Sequence, residues 1–356
     1  LNLIKQINKL KEITFYENLG SLYDKTQRLR KMAYFISDQL DIKKEKLEIA
    51  ASICKSDLVS GLVGEFPELQ GIMGKYFAAN QGFEDEVSRA VSEHYLPISI
   101  SSTVPKKPIS YGLSIIDKLD TLVGFFLINE KPTSSKDPFA LRRSAIGLLR
   151  TIIENNLTVG LRDLIDYLIK FYTEQGVKDV NKNTHLELIN FFRDRMKNIL
   201  KEKRVRPDII EASLSSHTND NFLELYKKTL VMNKFISKDL GKNAVSTYKR
   251  AYNIIDREKN ISKSGPDAVL FKQDEEKELF DKINDIRKAF TYKERKESYE
   301  NHLKLLSDAK LSTDKFFDNV KVNDENNDIK NNRLELLQRL CSTFNTFIDF
   351  SKLEGN

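Results

Sequence analysis

Long hydrophobic runs, paired cysteines and a secretory leader are all missing from this sequence of 356 residues. The longest apolar run, at 123–128, is broken by Gly124 and is far shorter than the roughly 20 residues that span a bilayer, so we expect no membrane segment. Cys54 and Cys341 each stand alone, which predicts free thiols in a reducing cytoplasm. The chain starts at Leu1 without a charged and then apolar stretch, so we expect no secretory signal.

Motifs for nucleotide chemistry and nucleophilic catalysis are absent as well. We find no glycine-rich loop that would cradle phosphates and no Gly-x-Ser-x-Gly elbow. The stretch NISKSG at 260–265 is similar to the loop that steadies ATP phosphates in class I synthetases. That loop works only with a parallel nucleotide-binding sheet and a His-Ile-Gly-His motif, and this chain has neither. We therefore expect no adenylation site and no catalytic residue in this chain.

What the sequence does contain is helical periodicity. Apolar residues recur at steps of three and four along most of the chain, and no strand-like alternation of useful length stands out. We therefore predict an all-α protein. Its length and hydrophobic fraction of 40% indicate two or three globular domains. The net charge of +6 favours an anionic partner only mildly, because opposite charges are closely mixed.

Residues 131–150 predict a loop that turns abruptly into a helix. Asp137 is a suitable N-cap, and Pro138 suits the first helical position, where a missing N–H costs nothing. The helix should bury one apolar face. That face consists of Leu141, Ala145, Leu148, Leu149 and Ile152.

Two basic clusters stand out from the mixed charge. Residues 131–150 hold five basic side chains against one acidic, and residues 193–207 hold seven against two. Each cluster is either a solvated surface or a surface that contacts phosphates. The second alternative is chemically reasonable because an arginine guanidinium group can donate two parallel hydrogen bonds to a phosphate. The candidates in the first cluster are Lys136, Arg142, Arg143 and Arg150.

A further candidate combines cations, planar rings and an amide around one helix, VSTYKRAYNII at 245–255. These are the groups that the phosphates and unstacked bases of a single-stranded loop require. Composition alone makes this a weak pattern, because Tyr and Lys are common residues. The candidates are Tyr248, Lys249, Arg250, Tyr252, Asn253 and Arg257.

Two carboxylates interrupt the most apolar helix predicted in the chain. Asp117 and Asp120 share a face and need partners if buried, so they are either salt-bridged or functional. Their helix is similar to the one that carries the last Asp of HD phosphohydrolases, which hold divalent metals with His and Asp. Asp57 also stands in a plausible position, but Ser56 precedes it where a His should stand. His94 is the only His in the first 180 residues, so we expect no working metal site.

Several longer blocks together resemble the beta subunit of bacterial glycyl-tRNA synthetase, the form built from separate alpha and beta chains. They are GEFPELQGIMGKYFA at 64–78, DKLDTLVGFF at 117–126 and KPTSSKDPFALRR at 131–143. A block at 316–340 and the helix at 245–255 resemble that family's C-terminal anticodon-binding domain. The blocks follow the family's order and cover nearly all of this chain, which corresponds to the C-terminal half of such a subunit. Ser134 stands where the family is expected to have Gly.

The resemblance implies three parts: a degenerate HD-like helical domain at 1–157, a helical connector at 158–237 and a DALR-like anticodon-binding helical domain at 238–356. It implies tRNA for glycine and the alpha subunit as partners, in a heterotetramer of two alpha and two beta chains. The alpha subunit is expected to use ATP and Mg to make glycyl-adenylate. This chain, with no cofactor of its own, is expected to hold and orient the tRNA.

The resemblance also assigns the two sets of candidates to different parts of the tRNA. The residues of the first basic cluster would contact the backbone, near the acceptor side, and the candidates around residues 245–257 would contact the anticodon side. Two alternatives stay open at this point. One is a metal-dependent HD-type nucleotide phosphohydrolase, and the other is a purely structural scaffold for the alpha subunit.

Overall fold

The structure is a computed structural model that describes residues 2–99, 101–216, 220–258, 261, 264–293 and 298–354. Its regular structure is almost entirely helical, which confirms the all-α prediction. The exception is an antiparallel hairpin of β1 (Thr14–Tyr16) and β2 (Gly20–Ser21), in which too few residues pair for an alternating pattern to reveal it. No helix in these ranges is both long enough and apolar enough to cross a bilayer.

The α-helices follow one another in chain order. They are α1 Leu3–Gln6, α2 Leu22–Leu40, α3 Lys44–Ile53, α4 Gly61–Glu65, α5 Ile72–Asn80, α6 Asp85–Glu93, α7 Pro108–Leu127, α8 Leu141–Glu154, α9 Leu161–Glu174, α10 Thr184–Glu202, α11 Pro207–Ser216, α12 Phe222–Ile236, α13 Asp239–Ile255, α14 Asp274–Lys293, α15 Tyr299–Ser307, α16 Lys310–Asn319 and α17 Asn327–Phe344. Short 3₁₀ turns lie at Ile7–Glu12, Ser56–Val59, Pro67–Leu69, Ala268–Leu270 and Phe350–Lys352.

The chain forms two compact units. One comprises residues 1–199 with 220–224, and the other comprises 200–219 with 225–356. The finer division at residues 157 and 237 stays a prediction.

The first unit is built around α7, which is buried along nearly its whole length. Helices α2, α6, α8 and α9 all pack against it. Helix α8 buries the apolar face that its spacing predicts, from Leu141 to Ile152. Because α7 is surrounded, every charged group on it has to find a partner inside the protein.

Helix α5 packs through its small residues rather than through its large apolar ones. Its small residues Gly74 and Ala78 are buried, whereas Ile72 and Tyr76 are 47% and 64% exposed. A Cβ at Gly74 would lie 2.6 Å from a methyl of Val91 on α6, so only glycine permits this approach. The small residues, rather than the large ones, therefore form the packing face.

The second unit surrounds the last helix, α17, whose apolar residues form a buried seam at helical spacing. Leu334, Leu337, Cys341 and Phe344 are all 3% exposed or less. Helices α13 and α14 pack against this seam. Both cysteines of the chain are free and buried, as expected.

Candidate nucleic-acid interface

The start of α8 is capped by an acid from outside the helix. The Asp137 carboxylate accepts the N–H groups of Leu141 at 2.8 Å and Arg142 at 3.0 Å. The helix begins at Leu141, after Ala140 in a left-handed conformation, and Pro138 lies in the preceding turn. Asp137 thus caps the helix with its carboxylate, but Ala140 rather than Asp137 is the N-cap residue, and Pro138 is not the first residue of the helix. The N–H groups that could have bound a phosphate here already hold a carboxylate.

Two arginines of the first basic cluster hold loops of the protein itself. Arg142 donates a hydrogen bond to the carbonyl oxygen of Thr133. Arg150 donates to the Ser102 carbonyl oxygen at 3.0 Å and forms an ion pair with Glu154 at 2.8 Å. Their guanidinium groups are therefore engaged in fixing loops at both ends of α8.

The other two members of this cluster face solvent. Lys136 and Arg143 are both exposed, and nothing in the described part of the chain pairs with their charged ends. Of the four candidates, these two are free to meet a phosphate without first breaking an internal contact.

The second basic cluster contributes exposed charge between α10 and α11. Lys201, Lys203 and Arg204 are exposed, whereas Arg206 makes a two-pronged contact with Asp208, at 3.1 and 2.7 Å. Residues 201–206 of this cluster therefore include a solvated helix end and a structural ion pair.

A polar stripe follows α13 in the second unit. Lys242, Ser246, Lys249 and Asn253 recur at steps of four and three, so they share one side of the helix. The stripe borders a pocket of about 450 Å³. Its lining comprises Ile236, Lys242, Asn243, Val245, Ser246, Lys249, Arg250, Asn253 and Glu354.

Three residues predicted for RNA contact thus lie together in this pocket: Lys249, Arg250 and Asn253. Arg250 is partly engaged, because its guanidinium lies 2.9 Å from Asp314 and 3.6 Å from Asp318 on α16. Those ion pairs are half-exposed and contribute little to stability, so a phosphate could replace them at small cost.

The remaining anticodon-side candidates do not line this pocket. Tyr248 is 1% exposed and packs against Phe344 and Phe350, and burial raises the pKa of its hydroxyl. Its ring therefore belongs to the core and cannot stack on a base in this structure. Tyr252 is half-buried and stacks on Tyr248, with the ring centroids 5.5 Å apart. Arg257 is exposed just beyond the end of α13.

Sequence reasoning missed Lys242, Asn243, Ser246 and Glu354 as pocket residues. The first three could have been found by extending the helical spacing backwards from Lys249, had the helix been started at Asp239. The helix begins at Asp239, six residues before the stretch 245–255 that the sequence pattern indicated. Glu354 lies about a hundred residues away along the chain, so no local pattern points to it.

The carboxylates that resemble an HD metal site are paired with lysines and arginine. Lys25 and Lys55 each place their ammonium nitrogen 3.2 Å from Asp117 Oδ1. Arg28 Nε lies 2.6 Å and Lys25 Nζ 2.9 Å from Asp120. Burial alone would raise the pKa of Asp117, but the surrounding ammonium groups hold it well below its usual value. The two acids on α7 are therefore salt-bridged.

The remaining potential metal ligands are also engaged. Asp57 accepts the backbone N–H groups of Gly71 at 2.7 Å and Gly74 at 3.1 Å, which caps α5. His94 Nδ1 donates to the Val91 carbonyl oxygen at 2.8 Å, so its Nε2 accepts from Lys55 Nζ at 2.8 Å. Burial and the Lys55 ammonium lower the pKa of His94 well below its usual value.

These residues do not fit a divalent metal. A metal ligand needs a free lone pair, and here lysine ammonium groups occupy the space beside Asp117 and His94. Among the residues that the structure describes, no three His, Cys, Asp or Glu side chains converge. The arrangement gives no support to a metal-dependent phosphohydrolase.

Comparison with known proteins gives one consistent family. The model of the glycyl-tRNA synthetase beta subunit matches residues 1–215, and the model of the DALR anticodon binding domain matches residues 244–351. The chain is 37% identical over 354 residues to the glycine–tRNA ligase beta subunit of Rhodospirillum centenum, covering 97% of this chain and 49% of that protein. It is 38% identical over 348 residues to that of Rickettsia conorii, covering 98% and 50%. The corresponding values for Clostridioides difficile are 36% over 355 residues, 99% and 51%. The chain thus spans about half the length of the curated relatives that it matches.

Proposed function

Since this chain belongs to the family of glycyl-tRNA synthetase beta subunits, we propose that it binds tRNA for glycine and positions it for aminoacylation. Positioning is a sufficient contribution, because fixing two reactants in the right geometry removes several kcal/mol from a barrier. No residue of this chain takes part in the covalent steps.

The observation that carries the proposal is the polar stripe on α13. It places Lys249 and Asn253, which lie within the residues that match an anticodon-binding domain, in one pocket with Lys242. Ammonium groups suit phosphates, and an amide suits the edge of an unstacked base. This combination favours recognition of the anticodon loop by the second unit.

A second contact belongs to the first unit and serves a different purpose. Lys136 and Arg143 are exposed close to the start of α8 and can bind phosphates without regard to sequence. We place the tRNA backbone, near its acceptor side, against them. Arg142 and Arg150 support this surface by fixing its loops.

The remainder of the reaction requires a partner. We propose that an alpha subunit supplies the adenylation site, with ATP and Mg, in a heterotetramer of two alpha and two beta chains in the cytoplasm. The family name implies the alpha chain, and this chain has no motif that would bind a nucleotide's phosphates.

Binding of the 356-residue chain to purified tRNA tests the proposal. We expect higher affinity for tRNA for glycine than for another tRNA, measured at two salt concentrations. Both affinities should fall as salt rises, because phosphate contacts release counterions. The ratio between them should persist, because base contacts depend less on salt. Equal affinity for both tRNAs at both salt concentrations would contradict anticodon recognition.

A further inference from the structure

The pocket beside α13 contains a group that binding to phosphates alone would not require. Glu354 lines it together with Lys242, Asn243 and Lys249. A carboxylate repels phosphate and therefore weakens a surface that binds only backbone. It is favourable where a base presents an amino group, because carboxylates accept hydrogen bonds from the N4 amino group of cytosine.

Buried contacts fix the backbone at Glu354. Its N–H donates to the Asp208 carboxylate at 2.9 Å, and Asp208 is 8% exposed and held by Arg206. The preceding Leu353 is 2% exposed. The Glu354 side chain itself is exposed, and its carboxylate has no hydrogen bond or ion pair within the described residues. Glu354 thus combines an anchored backbone with an exposed, uncommitted carboxylate in a residue that lines the pocket.

The chemistry of the expected ligand matches this acceptor. Codons for glycine begin with two guanines, so the second and third anticodon positions of its tRNAs are cytosines. Cytosine offers an amino donor at N4 beside acceptors at N3 and O2, whereas uracil places an acceptor at O4. A carboxylate accepts a hydrogen bond from the N4 amino group of cytosine, whereas it is repelled by the O4 oxygen of uracil. The amide of Asn243 and the ammonium of Lys249 can donate to N3 or O2.

We infer that Glu354 determines specificity by accepting a hydrogen bond from the N4 amino group of an anticodon cytosine in this pocket. The inference rests on the proposed function, because it requires the anticodon loop to reach α13. Glu354 would thereby also discriminate against uracil, because uracil would place an unpaired acceptor against the carboxylate and lose binding free energy.

The test compares Glu354→Gln with the unchanged chain. Both are bound to tRNA for glycine and to transcripts in which the second or third anticodon cytosine is replaced by uracil. The unchanged chain should prefer cytosine roughly ten- to a hundredfold at one of the two positions. Glu354→Gln should reduce this preference to a few-fold, because an amide can also donate to O4 of uracil. The matched control Glu325→Gln, at an exposed site elsewhere in the same unit, should keep the full preference.

Two negative results have different meanings. If Glu354→Gln keeps the cytosine preference while Asn253→Ala loses it, the role of Glu354 is overturned and anticodon recognition stands. If the unchanged chain binds cytosine and uracil transcripts equally, both the inference and the proposed function are overturned.

Discussion

Single residues decide what the buried charges of the first unit can do. Lys118 lies on α7 and is 7% exposed, with its ammonium 2.7 Å from the Leu96 carbonyl oxygen and 3.0 Å from that of His94. Both acceptors are uncharged. Burial lowers the pKa of Lys118 to about 7, with the Lys55 and Lys25 ammonium groups adding to the effect. The cluster around Asp117 is therefore sensitive to pH through a lysine rather than through its histidine.

This sensitivity gives a prediction for Lys118. An unfolded lysine titrates near about 10.4, so between pH 7 and pH 10 the unfolded chain binds more protons than the folded chain. Stability from this residue should therefore rise with pH over that interval, by up to about 1.4 kcal/mol per pH unit. Urea unfolding of the unchanged chain and of Lys118→Met at several pH values measures the difference. The exposed control Lys178→Met should show no such trend, and a flat difference for Lys118→Met would show that Lys118 stays charged.

Sequence patterns indicate that a buried charge needs a partner, but they do not identify the partner. Sequence reasoning recognised that Asp117 and Asp120 need partners, because a polar group in an apolar helix is visible in the sequence. It could not name Lys25 and Lys55 as those partners, since they lie more than sixty residues away along the chain. It assigned Tyr248 to RNA, because nothing local distinguishes a ring that stacks on a base from one in the core.

At the scale of elements, two helices start on an acid that lies outside them. Asp57 accepts N–H groups at the start of α5, and Asp137 does the same for α8. In both cases the carboxylate lies where the helix dipole favours negative charge. The cap by Asp137 was predicted from its neighbourhood, whereas Asp57 is separated from α5 by helix α4 and a 3₁₀ turn and resembled a metal ligand instead.

Removing the acid at the start of α8 should destabilise the first unit. Asp137→Ala leaves two N–H groups without their acceptor, and caps of this kind contribute about 1 kcal/mol. We expect Asp137→Asn, which keeps one acceptor oxygen, to lose less. Urea unfolding measures both, with the exposed loop residue Ser135→Ala as the control. If Asp137→Ala were as stable as Ser135→Ala, the carboxylate would not be a cap.

Helix α5 shows why spacing alone can assign the wrong face. In and just before this helix the sequence carries two stripes at helical steps. Leu69, Ile72, Met73, Tyr76 and Phe77 are apolar and would ordinarily be placed inward, whereas the small residues Gly71, Gly74 and Ala78 suit the close approach of a neighbouring backbone. The protein instead turns Gly74 and Ala78 inward, because Asp57 and α6 approach the backbone too closely for larger side chains. Periodicity identifies the helix, but the neighbour that it meets decides which side is buried.

At the scale of the whole molecule, the fold class was predictable because helices carry their pattern within one segment. The seam of α17 and the burial of α7 both follow from spacing in single stretches. The family was predictable because long blocks of sequence carry it. The pocket beside α13 was only partly predictable, because it needs Glu354 from the far end of the chain.

We propose that two surfaces hold tRNA in different ways, and variants of the two surfaces, compared side by side, test this proposal. Binding is measured to tRNA for glycine and to the same tRNA with its anticodon replaced. The double variant Lys136→Ala, Arg143→Ala should lose affinity for both tRNAs by the same factor. The double variant should also make the plot of log affinity against log salt less steep, by about two in slope, because two phosphate contacts are lost. Asn253→Ala should weaken binding only of the tRNA that carries the glycine anticodon, by roughly 1–3 kcal/mol, and should leave the salt dependence of binding unchanged. Indistinguishable profiles for the two variants would contradict this division.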